Sequence, residues 1–195
     1  MSRFDGASFE GEEFDGIDFQ TIGVSGKEFN GCTFTGCDFT ETDLARCEFD
    51  DCVFKTCNLS NPKIGHARFL DAEFEQCKVA GINFYQCDQA VFDLSFEDCR
   101  VMNCNFSDLK MKGATFAGCD ISGCFFQDTF LVEADFSASF FRDTLFSGSD
   151  LRRASFFGAH GYSIDPRSNN VQRAVFSCPD VLSLIDCFNI IIKDT

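Results

Sequence analysis

The side chains that most often carry chemistry in proteins are thiols, imidazoles and carboxylates, and this chain is rich in the first and the last. Its 195 residues include 13 cysteines, 31 aspartates and glutamates, and only 2 histidines. Cysteines at short spacing can bind zinc or pair as disulfides. The sequence contains no Cys-x-x-Cys pair, however, and His66 and His160 lie far apart. We therefore expect no metal site.

Motifs for other chemistry are missing as well. No Ser or Cys stands beside a plausible base, and no Gly-rich phosphate loop joins a strand to a helix. Nucleophilic and phosphoryl chemistry need such arrangements. The sequence thus predicts a protein that is not an enzyme and has no cofactor.

A five-residue repeat explains where the cysteines lie. A large apolar residue, most often Phe, recurs at every fifth position from Phe4 to Gln89 and again from Val91 to Phe156, and only Gln89 breaks the rule. Small residues stand two places earlier, and all cysteines except Cys178 and Cys187 occupy that place. Residues two apart on extended backbone share a face. We therefore expect these thiols to be packed in the core, with pKa values raised by burial.

The period of five matches neither an amphipathic helix nor an alternating strand. Gly, Ser, Thr, Asn and Asp recur just after each large residue, where they favour turns. A chain that turns after every short wall can stack on itself as a solenoid.

Several segments resemble the motif of the pentapeptide-repeat family. They are Cys37-Asp38-Phe39-Thr40, Thr42-Asp43-Leu44, Ala134-Asp135-Phe136-Ser137 and Gly148-Ser149-Asp150-Leu151. The resemblance implies an all-β fold: a right-handed, quadrilateral parallel β-helix with about twenty residues per coil. About eight coils at roughly 4.8 Å each would give a rod about 38 Å long.

Two regions depart from the repeat. The step from Phe84 to Val91 is seven residues, which predicts a register break at about 85–95 within a β-helix of residues 1–161. Residues 162–195 would form a C-terminal cap over the last coil. The segment from Ile164 to Ile192 resembles the tail of the Qnr-like and albicidin-immunity proteins of this family, which implies that 162–195 is also a dimerisation segment. In that segment Ser177 and Pro179 are predicted to begin a short α-helix, and residues 188–192 are predicted to form a short strand.

Charge is concentrated at one end of the chain. The formal net charge is −15, and residues 1–54 hold thirteen acids against three bases. Over the corresponding length of rod, that density is comparable with the phosphates of duplex DNA. The sequence shows no basic stripe, so direct nucleic-acid binding is not expected. The density is consistent with a mimic of DNA, and acids that merely keep the rod soluble are the alternative interpretation.

No signal peptide or membrane span is evident, which predicts a cytoplasmic protein without membrane contact.

Within the family, the chain is similar to the Qnr-type quinolone-resistance and the albicidin- and microcin-immunity proteins. That resemblance implies a homodimeric DNA mimic that binds DNA gyrase or topoisomerase IV and protects it from quinolones or a natural poison. A non-enzymatic scaffold or adaptor with an unrelated partner is the alternative function. For the register break, the alternative to a contact loop is a simple bulge. For the tail, the alternative to a dimerisation segment is a simple end cap.

The predicted acidic contacts are Glu10, Glu28, Glu48, Asp50 and Asp51. The predicted loop contacts are Tyr85, Asp88, Gln89, Phe92, Asp93 and Leu94. The predicted dimerisation residues are Val181, Leu184, Ile185, Phe188, Ile190 and Ile192.

Overall fold

The chain winds into a parallel β-solenoid. The computed structural model describes residue 4, residues 6–90 and residues 92–191. Every strand pair is parallel, and each strand lies beside the equivalent strand of the next coil; Phe9 pairs with Phe29 and Phe14 with Phe34. An offset of twenty residues with a five-residue repeat means four walls per coil, and the solenoid has about eight turns. These observations confirm the predicted fold class.

The four walls are named by their columns of inward residues. Wall A begins with Phe9 and Phe29, wall B with Phe14 and Phe34, wall C with Phe19 and Phe39, and wall D with Val24 and Leu44. The largest sheet covers walls A and B, because the strand Arg68–Glu75 turns the corner between them. Smaller sheets form wall C and part of wall D.

The strands are short, and most span three residues. In chain order they are β1 Ser8–Glu10, β2 Glu13–Asp15, β3 Glu28–Asn30, β4 Thr33–Thr35, β5 Glu48–Asp50, β6 Val53–Lys55, β7 Asn58–Ser60, β8 Arg68–Glu75, β9 Lys78–Ala80, β10 Phe92–Glu97, β11 Arg100–Met102, β12 Thr115–Ala117, β13 Asp120–Ser122, β14 Phe125–Gln127, β15 Phe140–Arg142, β16 Leu145–Ser147, β17 Ser155–Phe156 and β18 Val175–Phe176. The 3-10 turn Phe84–Gln86 and the 3-10 helix Asp180–Phe188 complete the elements.

Stacked phenylalanine rings fill the axis of the solenoid. Wall B carries a continuous stack whose neighbouring ring centroids lie 4.7–5.1 Å apart. Its members are Phe14, Phe34, Phe54, Phe74, Phe96, Phe116, Phe136, Phe156 and Phe176. Offset-stacked and edge-on aromatic pairs each add about 0.5–1.5 kcal/mol beyond their buried area. The core is therefore a pile of rings with the same spacing as the strands around it.

Left-handed backbone forms the corners. The residue two places after each inward residue repeatedly has a positive φ, such as +59° at Gly31 and +52° at Asp51. Glycine adopts this region without strain and Asp or Asn tolerates it. Asp and Asn also close turns from the wall itself: Asp38 Oδ1 accepts the backbone N–H of Thr40 at 2.9 Å. The recurring carboxylates therefore have a structural role in the repeat.

Eleven cysteines are buried at the small inward place, as the repeat predicted. Their thiols donate to backbone carbonyls of the preceding coil; Cys47 Sγ lies 3.0 Å from the oxygen of Val24. Burial raises the pKa of Cys47 to about 11 and the pKa values of Cys52 and Cys87 to about 12. Such protonated, enclosed thiols are poor nucleophiles and poor metal ligands. Among the described residues, no group of three or more His, Cys, Asp or Glu side chains could hold a metal ion.

The pairing register shifts by two residues between the coils that carry β8 and β10. Phe74 pairs with Phe96 and Ala72 with Leu94, and the irregularity falls between Phe92 and Leu94. The extra residues are accommodated by a bulge and a tight loop after Cys87. Leu94 was predicted to be a loop contact there, and this is wrong: only 2% of its surface is exposed, because it fills the inward small place opposite Ala72.

Coil-like pairing continues beyond residue 161, where the sequence predicted its end. Asp150 bridges to Asn170, and β17 pairs with β18. The helix that follows is a 3-10 helix, Asp180–Phe188, rather than an α-helix. Ser177 does not cap it, because its hydroxyl accepts the N–H of Gly158 at 3.0 Å.

The strand predicted at 188–192 is also absent from the described residues of that segment. Phe188 is the last helical residue, and Asn189 then takes a left-handed conformation that turns the chain. Ile192 lies outside the described residues. None of the described helices is long and apolar enough to cross a membrane.

Candidate partner-binding surfaces

All five predicted acidic contacts lie on wall A. Glu28 stands directly beside Glu48 in the strand register, and Asp50 lies one coil from Asn30, whose other neighbour is Glu10. Asp51 occupies the adjoining corner. We call Glu10, Glu28, Glu48, Asp50 and Asp51 the acidic face. Its carboxylates repeat at the coil spacing of roughly 4.8 Å, so the solenoid aligns charges that are up to forty residues apart.

Two of these carboxylates are less available than the others. Glu48 accepts a hydrogen bond from Arg68 Nη1 at 2.8 Å, which offsets its charge. Both Glu48 and Asp50 are half-buried, whereas Glu10, Glu28 and Asp51 are exposed. Arg68 Nε also lies 4.0 Å from Asp88 Oδ2, so this arginine marks the end of the acidic face on the side of the register shift. The freely accessible charge is therefore at the N-terminal end of the wall.

The loop around the register shift is compact. Tyr85 is 42% exposed, and its carbonyl accepts a hydrogen bond from Gln89 Nε2 at 3.3 Å. Asp88 Oδ1 accepts the backbone N–H of Ala90 at 3.0 Å, which fixes the turn. Phe92 is half-buried and packs against the core.

Asp93 completes the outward surface of this loop. Burial, followed by the charge of Asp71, raises the pKa of its carboxyl above the usual range. Tyr85, Asp88, Gln89 and Asp93 thus form a small polar surface, and Leu94 is not part of it.

The C-terminal helix presents two faces. Leu184 packs against the solenoid core, and Val181 and Ile185 are half-buried. Phe188 and Ile190 are more than half exposed. Two exposed side chains that the sequence analysis did not select, Leu182 and Ile191, extend this outer apolar surface.

An ion pair fixes the helix to the last coils. His160 Nδ1 lies 2.9 Å from Asp180 Oδ2. The imidazole lowers the pKa of Asp180 below its ordinary value. This contact joins the start of the C-terminal helix to the coil that carries His160.

Comparison with known proteins agrees with this architecture. A family model for a pentapeptide repeat region matches residues 27–91, and one for pentapeptide repeats matches residues 99–137 and 131–160. The chain belongs to the pentapeptide-repeat family. No curated protein matches its sequence.

Solved structures of two trypsin-treated variants of QnrB1 have a similar fold. QnrB1 is described as a plasmid-mediated fluoroquinolone resistance protein. One variant superposes with a TM-score of 0.64 at 17% identity, over 95% of this chain and 100% of the other. The second gives 0.63 at 21% identity, over 98% and 92%. At these identities the likeness is one of fold.

Proposed function

We propose that this protein is a non-enzymatic DNA mimic that binds a type II topoisomerase, DNA gyrase or topoisomerase IV, and protects it from a quinolone or a natural poison. The observation that carries the proposal is the acidic face. The fold places carboxylates from three successive coils on one wall. They lie in the part of the rod, residues 1–54, whose net charge per unit length is near that of duplex DNA. A cationic surface that grips DNA would attract such a wall.

The similarity in fold to QnrB1 supports the same function, since that protein is described as conferring fluoroquinolone resistance. The polar surface of Tyr85, Asp88, Gln89 and Asp93 would add a second contact on the same side of the rod as wall A. Protection would follow from competition with DNA, or from entry into a poisoned complex and release of the drug.

A homodimer would place two acidic faces at opposite ends of one longer rod. The exposed residues Leu182, Phe188, Ile190 and Ile191 supply an apolar surface at the end of the solenoid. A two-fold axis through this surface would pair each patch with its copy. Sedimentation of the chain and of a Leu182→Asp, Phe188→Asp variant tests this arrangement: the variant should sediment as a monomer.

The function is tested by supercoiling with purified gyrase and a quinolone, titrating the protein at low and at physiological salt. We expect rescue of supercoiling that weakens as salt rises, because exposed charges are screened. Glu28→Lys, Asp50→Lys, Asp51→Lys should abolish rescue. The matched control reverses three acids of wall B, Asp15, Glu73 and Glu97, and should keep it. Equal rescue by both variants would contradict the role of the acidic face.

The second candidate function is an adaptor for an unrelated partner. The observation that favours it is the exposed apolar surface at the C-terminal end, which needs no topoisomerase to explain it. If the folded protein neither rescues gyrase from the quinolone nor inhibits supercoiling by gyrase, the adaptor function is favoured.

A further inference from the structure

Wall A changes its sign of charge along the rod. Beyond the register shift it carries Lys110, Lys112, Arg152, Arg153 and Arg173, all exposed. We call these five residues the basic stripe. They are up to 63 positions apart in sequence, which is why neither a basic stripe nor direct nucleic-acid binding was expected from the sequence. The solenoid brings them together because residues one coil apart share a wall: Lys110 bridges to Phe130, and Phe130 to Asp150.

The stripe is a local excess of positive charge on a strongly acidic protein. Residues 110–173 contain seven cations and seven acids. Wall A holds five of those cations, but only Glu133 and Asp150 of the acids. The remaining acids of this half lie on other walls or corners. The stretch of residues 110–173 is therefore neutral as a whole and cationic on this one side.

Two acids organise the stripe without neutralising it. Asp150 accepts two hydrogen bonds from Arg152, at 2.8 Å from Nε and 2.7 Å from Nη2, which fix the guanidinium beside the carboxylate. Glu133 is shared by Arg153 at 2.9 Å and Lys112 at 3.5 Å. Neither of the remaining cations of the stripe, Lys110 and Arg173, has a salt-bridge partner among the described residues.

A groove follows the stripe, and an aromatic side chain stands within it. A cavity of about 470 Å³ is lined by four cations, one acid and an aromatic ring: Lys112, Arg152, Arg153, Arg173, Glu133 and Phe130. A second cavity of about 290 Å³, which also contains Phe130 and Lys112, adjoins it and reaches Lys110 and Asp93. Phe130 is 36% exposed, although its neighbours in the column are polar or charged. A cationic groove with an exposed aromatic ring is the combination that nucleic-acid strands occupy.

We infer that the basic stripe binds the phosphodiester backbone of nucleic acid. From Lys110 to Arg173 the stripe spans three coil steps, roughly 14 Å. That length of duplex presents about eight phosphates, half of them on the strand that faces the protein. The arginines and lysines contact phosphate oxygens, and the ring of Phe130 packs against sugar or base.

The acidic face does not prevent this binding. It lies about five coil steps from the centre of the stripe, roughly 24 Å away. That separation exceeds the Debye length of about 8 Å at physiological salt and of about 14 Å at about 50 mM, which is the low-salt condition of the test. One wall thus carries a surface that resembles DNA at one end and a surface that binds DNA at the other. The inference does not depend on a topoisomerase partner.

The test is fluorescence anisotropy of a labelled short DNA duplex and a labelled single strand, titrated with the full chain at low and physiological salt. We expect binding that weakens as salt rises. Lys110→Glu, Arg173→Glu should lower the affinity at low salt by about tenfold or more and flatten the salt dependence. Arg100→Glu, Arg142→Glu makes the same charge change on wall C and should bind as the unaltered protein does. Circular dichroism checks that both variants are folded.

Three results would overturn the inference: no binding at low salt, equal losses in both variants, or equal competition by polyglutamate, which would mark a general polyanion surface. The supercoiling assay separates this inference from the proposed function. DNA binding without rescue of gyrase contradicts the function alone, whereas rescue without DNA binding contradicts the inference alone.

Discussion

The ring of Phe74 stacks on the ring of Phe96, with centroids 5.1 Å apart and planes inclined by 18°, although the chain between them is two residues longer than a regular coil. The same stack continues to Phe116 at 5.0 Å. Ring packing therefore crosses the register shift without a gap. The two extra residues fall in the irregular segment before Leu94 and leave the column of rings continuous.

Phe74→Ala should therefore be among the single substitutions that most reduce the free energy of unfolding. It removes a fully buried ring that contacts rings in both neighbouring coils. We expect a loss of about 3–5 kcal/mol in the free energy of unfolding, measured by urea denaturation. Phe157→Ala, at a ring that is 64% exposed, is the control and should cost less than about 1 kcal/mol. Similar costs at both sites would contradict the account of the core.

The cysteines should separate sharply by reactivity. In the native protein, iodoacetamide should label Cys178, which is exposed, and more slowly Cys187, which is half-buried. The eleven buried thiols should react only after unfolding, when mass spectrometry should count thirteen labels. Rapid native labelling of a solenoid cysteine would mean that the coils open locally.

Alkaline pH should destabilise the fold. A free thiol has a pKa of 9.0, whereas burial raises the pKa to about 11 at Cys47 and about 12 at Cys52. Unfolded thiols therefore lose protons first. The stabilisation is complete below pH 9 and is lost as the pH rises from about 9 to about 12.

The matched variant for this prediction is Cys52→Ser. Ser139 occupies an equivalent place, and its hydroxyl donates to the carbonyl of Phe116. Serine therefore keeps the hydrogen bond but does not titrate in this range. The variant should show a shallower alkaline decline of Tm, and an unchanged slope would contradict the assignment.

Tyr162 is a site where removing an atom should help. Its hydroxyl is buried and has no hydrogen-bond partner among the described residues, and burial, followed by the charge of Asp180, raises its pKa to about 12. Tyr162→Phe keeps the ring contacts with Phe141 and Phe156 and removes the unpaired polar atom. We expect the free energy of unfolding, measured by thermal denaturation, to increase by about 1 kcal/mol. Tyr85→Phe, at an exposed ring, should be neutral. A destabilised Tyr162→Phe would show that the hydroxyl has a partner.

The sequence predicted the fold because every repeat has the same local pattern of one large inward residue, one small inward residue and one turn residue. Inward Phe, inward Cys and left-handed Gly recur often enough that one misplaced residue, such as Gln89, does not hide the period. The prediction failed where the rule stops. Leu94 lies in the shifted coil, and its burial depends on which of the extra residues bulges outward. Ser177 has two possible acceptor roles, and only the packed chain decides between the helix and Gly158.

Charge was harder to predict than shape. The acidic face is dense in sequence, since Glu48, Asp50 and Asp51 are nearly contiguous. The basic stripe is dispersed, and it becomes visible only when residues are grouped by wall at intervals of twenty. Lys112 and Arg152 then fall in one column and Arg153 and Arg173 in the next. That grouping could have been made from the sequence once the coil length was known.

The coil offset of twenty residues also sets how the molecule can change in size. Removing or duplicating one complete coil leaves every remaining wall in phase and alters the rod by about 4.8 Å. Any other insertion must be pushed out as a loop, as happens after Cys87. The length of the rod can therefore change only in steps of one coil. The distance between the acidic face and the C-terminal helix is accordingly a whole number of coils.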